Sequence, residues 1–412
     1  MGEIEPNAND GYWSSCIRLI EKTFVPRKSV GESRPCFEED FQDYRATVDQ
    51  NFRDILSILQ HILDERKEMK TPLNSPITKI FKTYLTILIG EHHEKNLWTT
   101  AKSIQASQQV EEILCNLYSS TNLGQLLAED DDGITRVLTT LRPKLLKNTW
   151  KTYPAAVFCY KWFLGLIKKS AILHLSDIIP TILIIFDDFV IENQILGLEC
   201  LSEILEECYM EKKFVESGFA QMVFENLKKL IHNREPRHIF LLYSCIGKIL
   251  NSIEFHNEFS NVFEWSDRDN ILEKLLETME CEENLKNRNS YLSVLSGILN
   301  SVGSFKWCGR VIRILKDYCQ HYDSKSLKIT LESVKSILLI FESRLPAHCE
   351  TLYPIFLKLS IDSIDAGFEE DVLKLVEDCI SFLNRSTPEF GKILTQDDRI
   401  RTLIERLPEV TL

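Results

Sequence analysis

Apolar residues along this chain recur at helical spacing and rarely alternate with polar ones. Phe52, Ile55, Leu56, Leu59, Ile62 and Leu63 form one stripe, and Ile113, Leu114, Leu117 and Tyr118 suggest another. No two-residue hairpin turn joins β-branched runs, so strand signals are weak. From about Trp150 the pattern becomes periodic. Each unit has a Leu- and Ile-rich helix, a short polar turn and a second apolar helix. The units cover residues 178–205, 222–250, 271–299, 311–340 and 352–383, and residues 153–167 supply a packing partner before the first. Their starts lie roughly 40 to 50 residues apart, the period of HEAT and armadillo arrays. The expectation is an all-α, HEAT/armadillo-like α-solenoid of stacked antiparallel helix pairs. A lone pair cannot bury both of its apolar faces, whereas stacked pairs share one continuous core. Two breaks divide the chain: SVGESRP at 29–35 and the charged LAEDDDG at 127–133, taken as a solvated connection. The expected organisation is an irregular segment 1–35, a helical region 36–135 and the repeat array 136–412.

One stretch, DDFVIENQILGLECL at 187–201, tests this picture. On a wheel of about 100° per residue, Glu192, Glu199, Glu203 and Glu206 gather on one narrow face. Ile195, Leu198, Leu201, Ile204, Leu205 and Cys208 cover the wider opposite side, as an inner helix with several neighbours requires. Gly197 lies on that side, and the close approach of a neighbouring helix is its expected use. The adjacent Asp187 and Asp188 read either as an acid pair or as turn residues that accept backbone N–H groups and cap the next helix. The turn reading is favoured, because an outer turn of a solenoid offers no pocket.

Composition narrows the function. The chain has 412 residues, 44% hydrophobic and 26% charged, enough for a large core. Only 15 are Gly, and the Gly247-Lys248 pair lacks the rest of a phosphate-binding loop. The net charge of −13 disfavours direct nucleic-acid binding. The acidic start lacks the apolar core of a signal peptide, and Pro6 spoils a myristoylation start at Gly2. The best apolar run, 178–186, is too short to span a bilayer and contains Pro180. The twelve cysteines are scattered without a CxxC pair, and Cys200, Cys208, Cys245 and Cys379 fall in apolar helical patterns as core thiols. These features lead us to expect a soluble intracellular chain, cytoplasmic and, as a further option, nuclear.

Candidate chemistry is sparse. The tetrad EHHE at 91–94 is the most metal-like string, but adjacent histidines do not share a helix face, and it follows Gly90, an expected helix end. A polar helix-end segment is the favoured reading. Cys319 with His321 and His348 with Cys349 lack a second half at zinc-site spacing. There is no GxSxG elbow. Two aromatic-basic clusters suit partner binding: Tyr160-Lys161-Trp162-Phe163, where core packing of Trp162 is favoured, and residues 305–314. In the second, Trp307, Arg310 and Arg313 are the partner-binding candidates, with core and interface evenly matched for Trp307 and Arg310. No catalytic, cofactor-binding or metal-binding residue is assigned.

TYPAAVFCYKWFL followed by IIPTILIIFDDFVIENQILGLECLSEIL resembles the Tel-two-interacting protein two family. The pattern is carried by Tyr153, Pro154, Trp162, Asp187, Asp188, Leu196, Gly197, Leu198, Cys200 and Leu201. The later FKWCGRVIRILKDYCQHYD, with Asp317-Tyr318, looks like the family's Trp-containing segment. The resemblance covers 150–383. It implies a non-enzymatic, cofactor-free adaptor subunit of the Triple T complex, with Tel-two and Tel-two-interacting protein one as partners. It further implies support of Hsp-ninety-dependent maturation of phosphatidylinositol-3-kinase-related kinases, and through them of DNA-damage and growth signalling. The alternatives left open are a HEAT adaptor for transport or cytoskeletal cargo, and a metal-assisted enzyme using EHHE or the Asp187-Asp188 pair.

Overall fold

The computed structural model describes residues 8–28, 36–65, 75–256, 264–320, 323–366, 369–394, 396 and 401. The break expected at 29–35 lies outside them. Among the described residues every regular element is helical. The chain divides into two compact units, Met1–Phe219 and Ala220–Leu412.

In the first unit the helices are α1 (Ala8–Thr23), α2 (Gln42–Asp64), α3 (Pro76–His92), α4 (Ala101–Tyr118), α5 (Leu123–Ala128), α6 (Gly133–Leu141), α7 (Pro154–Ile167), α8 (Leu175–Phe186), α9 (Ile191–Cys208) and α10 (Lys212–Glu216). Helices α1, α3, α7 and α9 lie side by side in one layer, while α2 with α4, and α6 with α8, build the other. The second unit holds α11 (Phe219–Leu227), α12 (Pro236–His256), α13 (Asp267–Cys281), α14 (Leu285–Leu299), α15 (Cys308–Tyr318), α16 (Ser324–Ile340), α17 (Cys349–Ala366), α18 (Glu370–Ser386) and α19 (Pro388–Leu394). Here α12, α14, α16 and α18 stack in one layer and α13, α15 and α17 in the other. The five periodic units of the sequence are the helix pairs α8/α9, α11/α12, α13/α14, α15/α16 and α17/α18.

Short polar side chains start several of these helices. Ser75 accepts from the Thr78 N–H with Pro76 in the first helical position, and Thr100 and Ser103 form a reciprocal capping box. Ser266 with Asp269, Asn284 and Asp323 do the same for α13, α14 and α16. Such caps satisfy N–H groups that a helix leaves without internal partners.

The first helix differs from expectation. Residues 1–35 read as irregular, yet α1 forms there and buries Trp13, Cys16 and Ile20. Trp13 meets Phe81 of α3 edge-on at 5.1 Å. Its stripe is three residues wide amid polar neighbours, so only the tertiary contact completes it.

Helix α9 has the broad apolar side its pattern requires. Leu198, Leu201, Ile204 and Leu205 are fully buried between α7 and α8. A Cβ on Gly197 would stand 2.5 Å from the Phe186 Cβ and 2.7 Å from its backbone nitrogen, so only glycine lets α8 and α9 approach this far. Leu198→Asp places an unpaired charge at a site with no solvent access. We expect it to cost more than about 4 kcal/mol and to collapse the thermal transition; a near-wild-type melt contradicts the inner-helix assignment. Gly197→Ala is expected to destabilise by about 1–3 kcal/mol despite better helix propensity. Gly297→Ala, where a Cβ meets nothing within 4 Å, is expected to stabilise by up to about 1 kcal/mol in the same melts.

Candidate functional site

Asp187 and Asp188 do not face one another as a working pair. Asp187 closes α8, is exposed, and lies 3.8 Å from the Lys147 ammonium. The Asp188 side chain is 4% exposed and pairs with Lys151. Its Oδ1 accepts from the Val190 N–H at 2.9 Å, while Gln194 Nε2 donates to the Asp188 carbonyl at 2.5 Å. Asp188 therefore organises the turn into α9, although Val190 holds the cap position itself. Burial alone would raise its carboxyl, but the hydrogen bonds from Lys151 and Val190 outweigh this and hold it below the ordinary value.

EHHE is not a solvated helix end. Helix α3 runs through Gly90 to His92, and Glu91 and His92 are buried. Gly90 continues the helix because α7 crosses there: a Cβ would come 2.6 Å from Cys159 Sγ and from the Trp162 ring. Glu91 accepts from the Val25 N–H at 2.8 Å, with Lys144 at 3.5 Å; burial raises its carboxyl, and these two partners recover only part of the shift. His92 bridges Tyr44 Oη at 2.8 Å and Ser103 Oγ at 3.1 Å, and burial depresses its pKa to about 3. This network joins α2, α3 and α4 to the chain after α1. No group of three or more His, Cys, Asp and Glu side chains is placed to hold a metal among the described residues. Cys349 is buried and donates to the Leu345 carbonyl; Cys319 is buried, and His321 lies outside the described residues.

The LAEDDDG stretch likewise differs from a solvated connection. The Asp130 side chain is 6% exposed and is surrounded by Lys82, Arg136 and, at 3.5 Å, Lys79. A charge pattern in sequence gives no hint of a lysine 48 positions earlier, in the middle of α3.

Of the partner-binding candidates, Trp307 points into its own array. It is 8% exposed and donates from Nε1 to Asp269 Oδ1 at 2.7 Å. Arg310 is held by Glu280 through two hydrogen bonds of 2.8 and 2.7 Å. Arg313 is exposed. The exposed aromatic of this region is Trp265, edge-on to Trp307 at 5.7 Å, which the sequence pattern did not single out. Tyr153 precedes Pro154, which opens α7. Trp162 is half-buried and stacks with His93 at 5.7 Å, whereas Tyr160 and Phe163 belong to the core. Cys200, Cys208, Cys245 and Cys379 are buried thiols, all raised in pKa by burial.

Comparison with known proteins shows what the chain is similar to. No protein-family profile matches the chain. TELO2-interacting protein 2 of Rattus norvegicus is 26% identical over 344 residues, covering 77% of this chain and 67% of its own. TELO2-interacting protein 2 of Homo sapiens is 23% identical over 370 residues, covering 83% and 70%. The chain is thus similar to TELO2-interacting protein 2 over 77–84% of its length. Among solved structures, importin beta crystallised from ammonium sulfate superposes with a TM-score of 0.53 over 98% of this chain and 48% of its own, at 12% identity. That likeness concerns fold alone and places this chain among HEAT-like helical arrays.

In this chain the acidic turn is thus a structural device. Asp188→Asn is expected to cost about 1–3 kcal/mol at pH 7, the range for hydrogen bonds to a charged group. Because folding lowers the Asp188 pKa, its contribution is complete above the ordinary value of about 3.9 and is lost as pH falls through the folded value. The stability gap between wild type and Asp188→Asn should therefore close in acid, measured by denaturation at a series of pH values. Asp187→Asn, at an exposed position, should cost no more than about 1 kcal/mol.

Proposed function

We propose that this chain is a non-catalytic scaffold subunit of the Triple T complex, binding Tel-two and Tel-two-interacting protein one. In that role it supports Hsp-ninety-dependent maturation and stability of phosphatidylinositol-3-kinase-related kinases, and so DNA-damage and growth signalling, in the cytoplasm and nucleus. The observation that carries the reading is the similarity to proteins named for interaction with TELO2, which extends over 77–84% of this chain. The fold supports it. Stacked helix pairs present long ridges to partners, and protein interfaces of obligate complexes often exceed roughly 2,000 Å². The carboxylates and histidines that invited a catalytic reading are engaged in turn and core contacts. No helix among the described residues is long and apolar enough to cross a membrane.

Affinity purification of the full chain from cells, followed by mass spectrometry, is expected to recover both other subunits in near-stoichiometric amounts. A clean purification lacking both would sink the proposal. Depleting the chain should also lower the steady-state level of the kinases without changing their messenger RNA.

A further inference from the structure

The layer formed by α3, α7 and α9 carries a cavity that neither the acidic turn nor the core uses. It has a volume of about 400 Å³ and is lined by Lys161, Trp162, Gly165, Leu166, Glu203 and the end of α3 at His93 and Glu94. Its aromatic wall is fixed in place. The Trp162 ring is fitted against Gly90 on one side and stacked by His93, whose Nδ1 is tied to the Gly90 carbonyl at 2.8 Å. Its floor is open because Gly165 has no side chain: a Cβ there would first meet Glu203 Oε2, at 3.4 Å.

The charges around the cavity are unequally compensated. Lys161 is drawn to Glu199 at 2.5 Å and Lys168 to Glu206 at 2.7 Å. Glu203 is left with Lys168 at 4.0 Å, and Glu94 has the His93 ring at 3.6 Å. Two weakly compensated carboxylates therefore stand beside a fixed indole, in a chain that carries −13 overall. Phosphate groups of lipids or nucleic acids are repelled by such a site. A planar guanidinium is suited to it: it stacks on an aromatic ring and takes a carboxylate through two parallel N–H bonds.

We propose that this cavity receives an arginine side chain presented by a protein partner, lodged beside the Trp162–His93 pair and paired with Glu203 and Glu94. The proposal rests on the adaptor reading for there being such a partner, and on the cavity alone for what the partner presents.

The test uses the full chain and a fluorescein-labelled octa-arginine peptide, followed by fluorescence anisotropy at about 0.15 M salt, where only close charge pairs escape screening. Gly165→Leu fills the floor, Glu203→Gln removes one charge, and Glu112→Gln removes a charge from the exposed face of α4 as a control. Thermal melts establish that each variant is folded. Gly165→Leu and Glu203→Gln are each expected to weaken binding about fivefold or more, the scale of one cation–π or charge-assisted contact, with the control within about twofold. An octa-lysine peptide should bind more weakly than octa-arginine. The proposal is overturned if wild type does not bind the peptide, or if Gly165→Leu and Glu112→Gln bind alike. Co-purification with the Triple T subunits is scored separately: its failure removes the partner's identity while the peptide result still decides the cavity.

Discussion

The structure depends on the need of each helix to be covered on more than one side. A two-helix unit leaves apolar surface bare, and only the next unit hides it. The contact between Phe186 and Gly197 shows how far this is taken. Removing one Cβ lets α8 and α9 close to backbone contact, which places Leu198, Leu201, Ile204 and Leu205 wholly inside. Gly90 plays the corresponding part where α3 meets α7. Both glycines give up about 1 kcal/mol of helix propensity for that closeness.

Charged side chains complete what packing begins. Between α7 and α9, Lys161 meets Glu199 and Lys168 meets Glu206; between α16 and α18, Lys328 meets Asp371 and Lys335 meets Asp378. Each set repeats after seven residues, two helical turns, so the pairs line one edge of neighbouring helices. Individually such half-exposed pairs contribute little. Together they fill the space between helices. Across α14 and α16 serines stand instead, Ser290, Ser293, Ser296, Ser333 and Ser336, and a groove of about 580 Å³ opens beside the start of α12. Open space on these layers thus arises where small residues replace paired charges or large side chains, as at Gly165.

The helix pairs were legible because their apolar spacing is local: five units read from the sequence are five pairs in the structure. Gly197 was legible for the same reason, since a glycine on a broad apolar side must be explained by a neighbour. What escaped the sequence were contacts made at a distance. Glu91 is buried because Val25, 66 positions away, offers its N–H, and Trp307 turns inward because Asp269, 38 positions away, accepts from it. Asp130 sinks into a loop that reads as solvated because Lys82 reaches it from α3. Gly90 looks like a helix end until Trp162 and Cys159 are seen against it. The cavity beside Trp162 was invisible for the same reason, since its walls come from three helices.

On the proposed function, protein partners bind this array along its helical layers, while the acidic turn serves the fold. Hydrogen–deuterium exchange of the full chain, alone and with purified Tel-two and Tel-two-interacting protein one, tests it most directly. The account predicts slower exchange in continuous stretches of neighbouring helices of one layer, including the end of α3 with α7 and α9. Exchange that is unchanged throughout, in the presence of both proteins at saturating concentration, would contradict it.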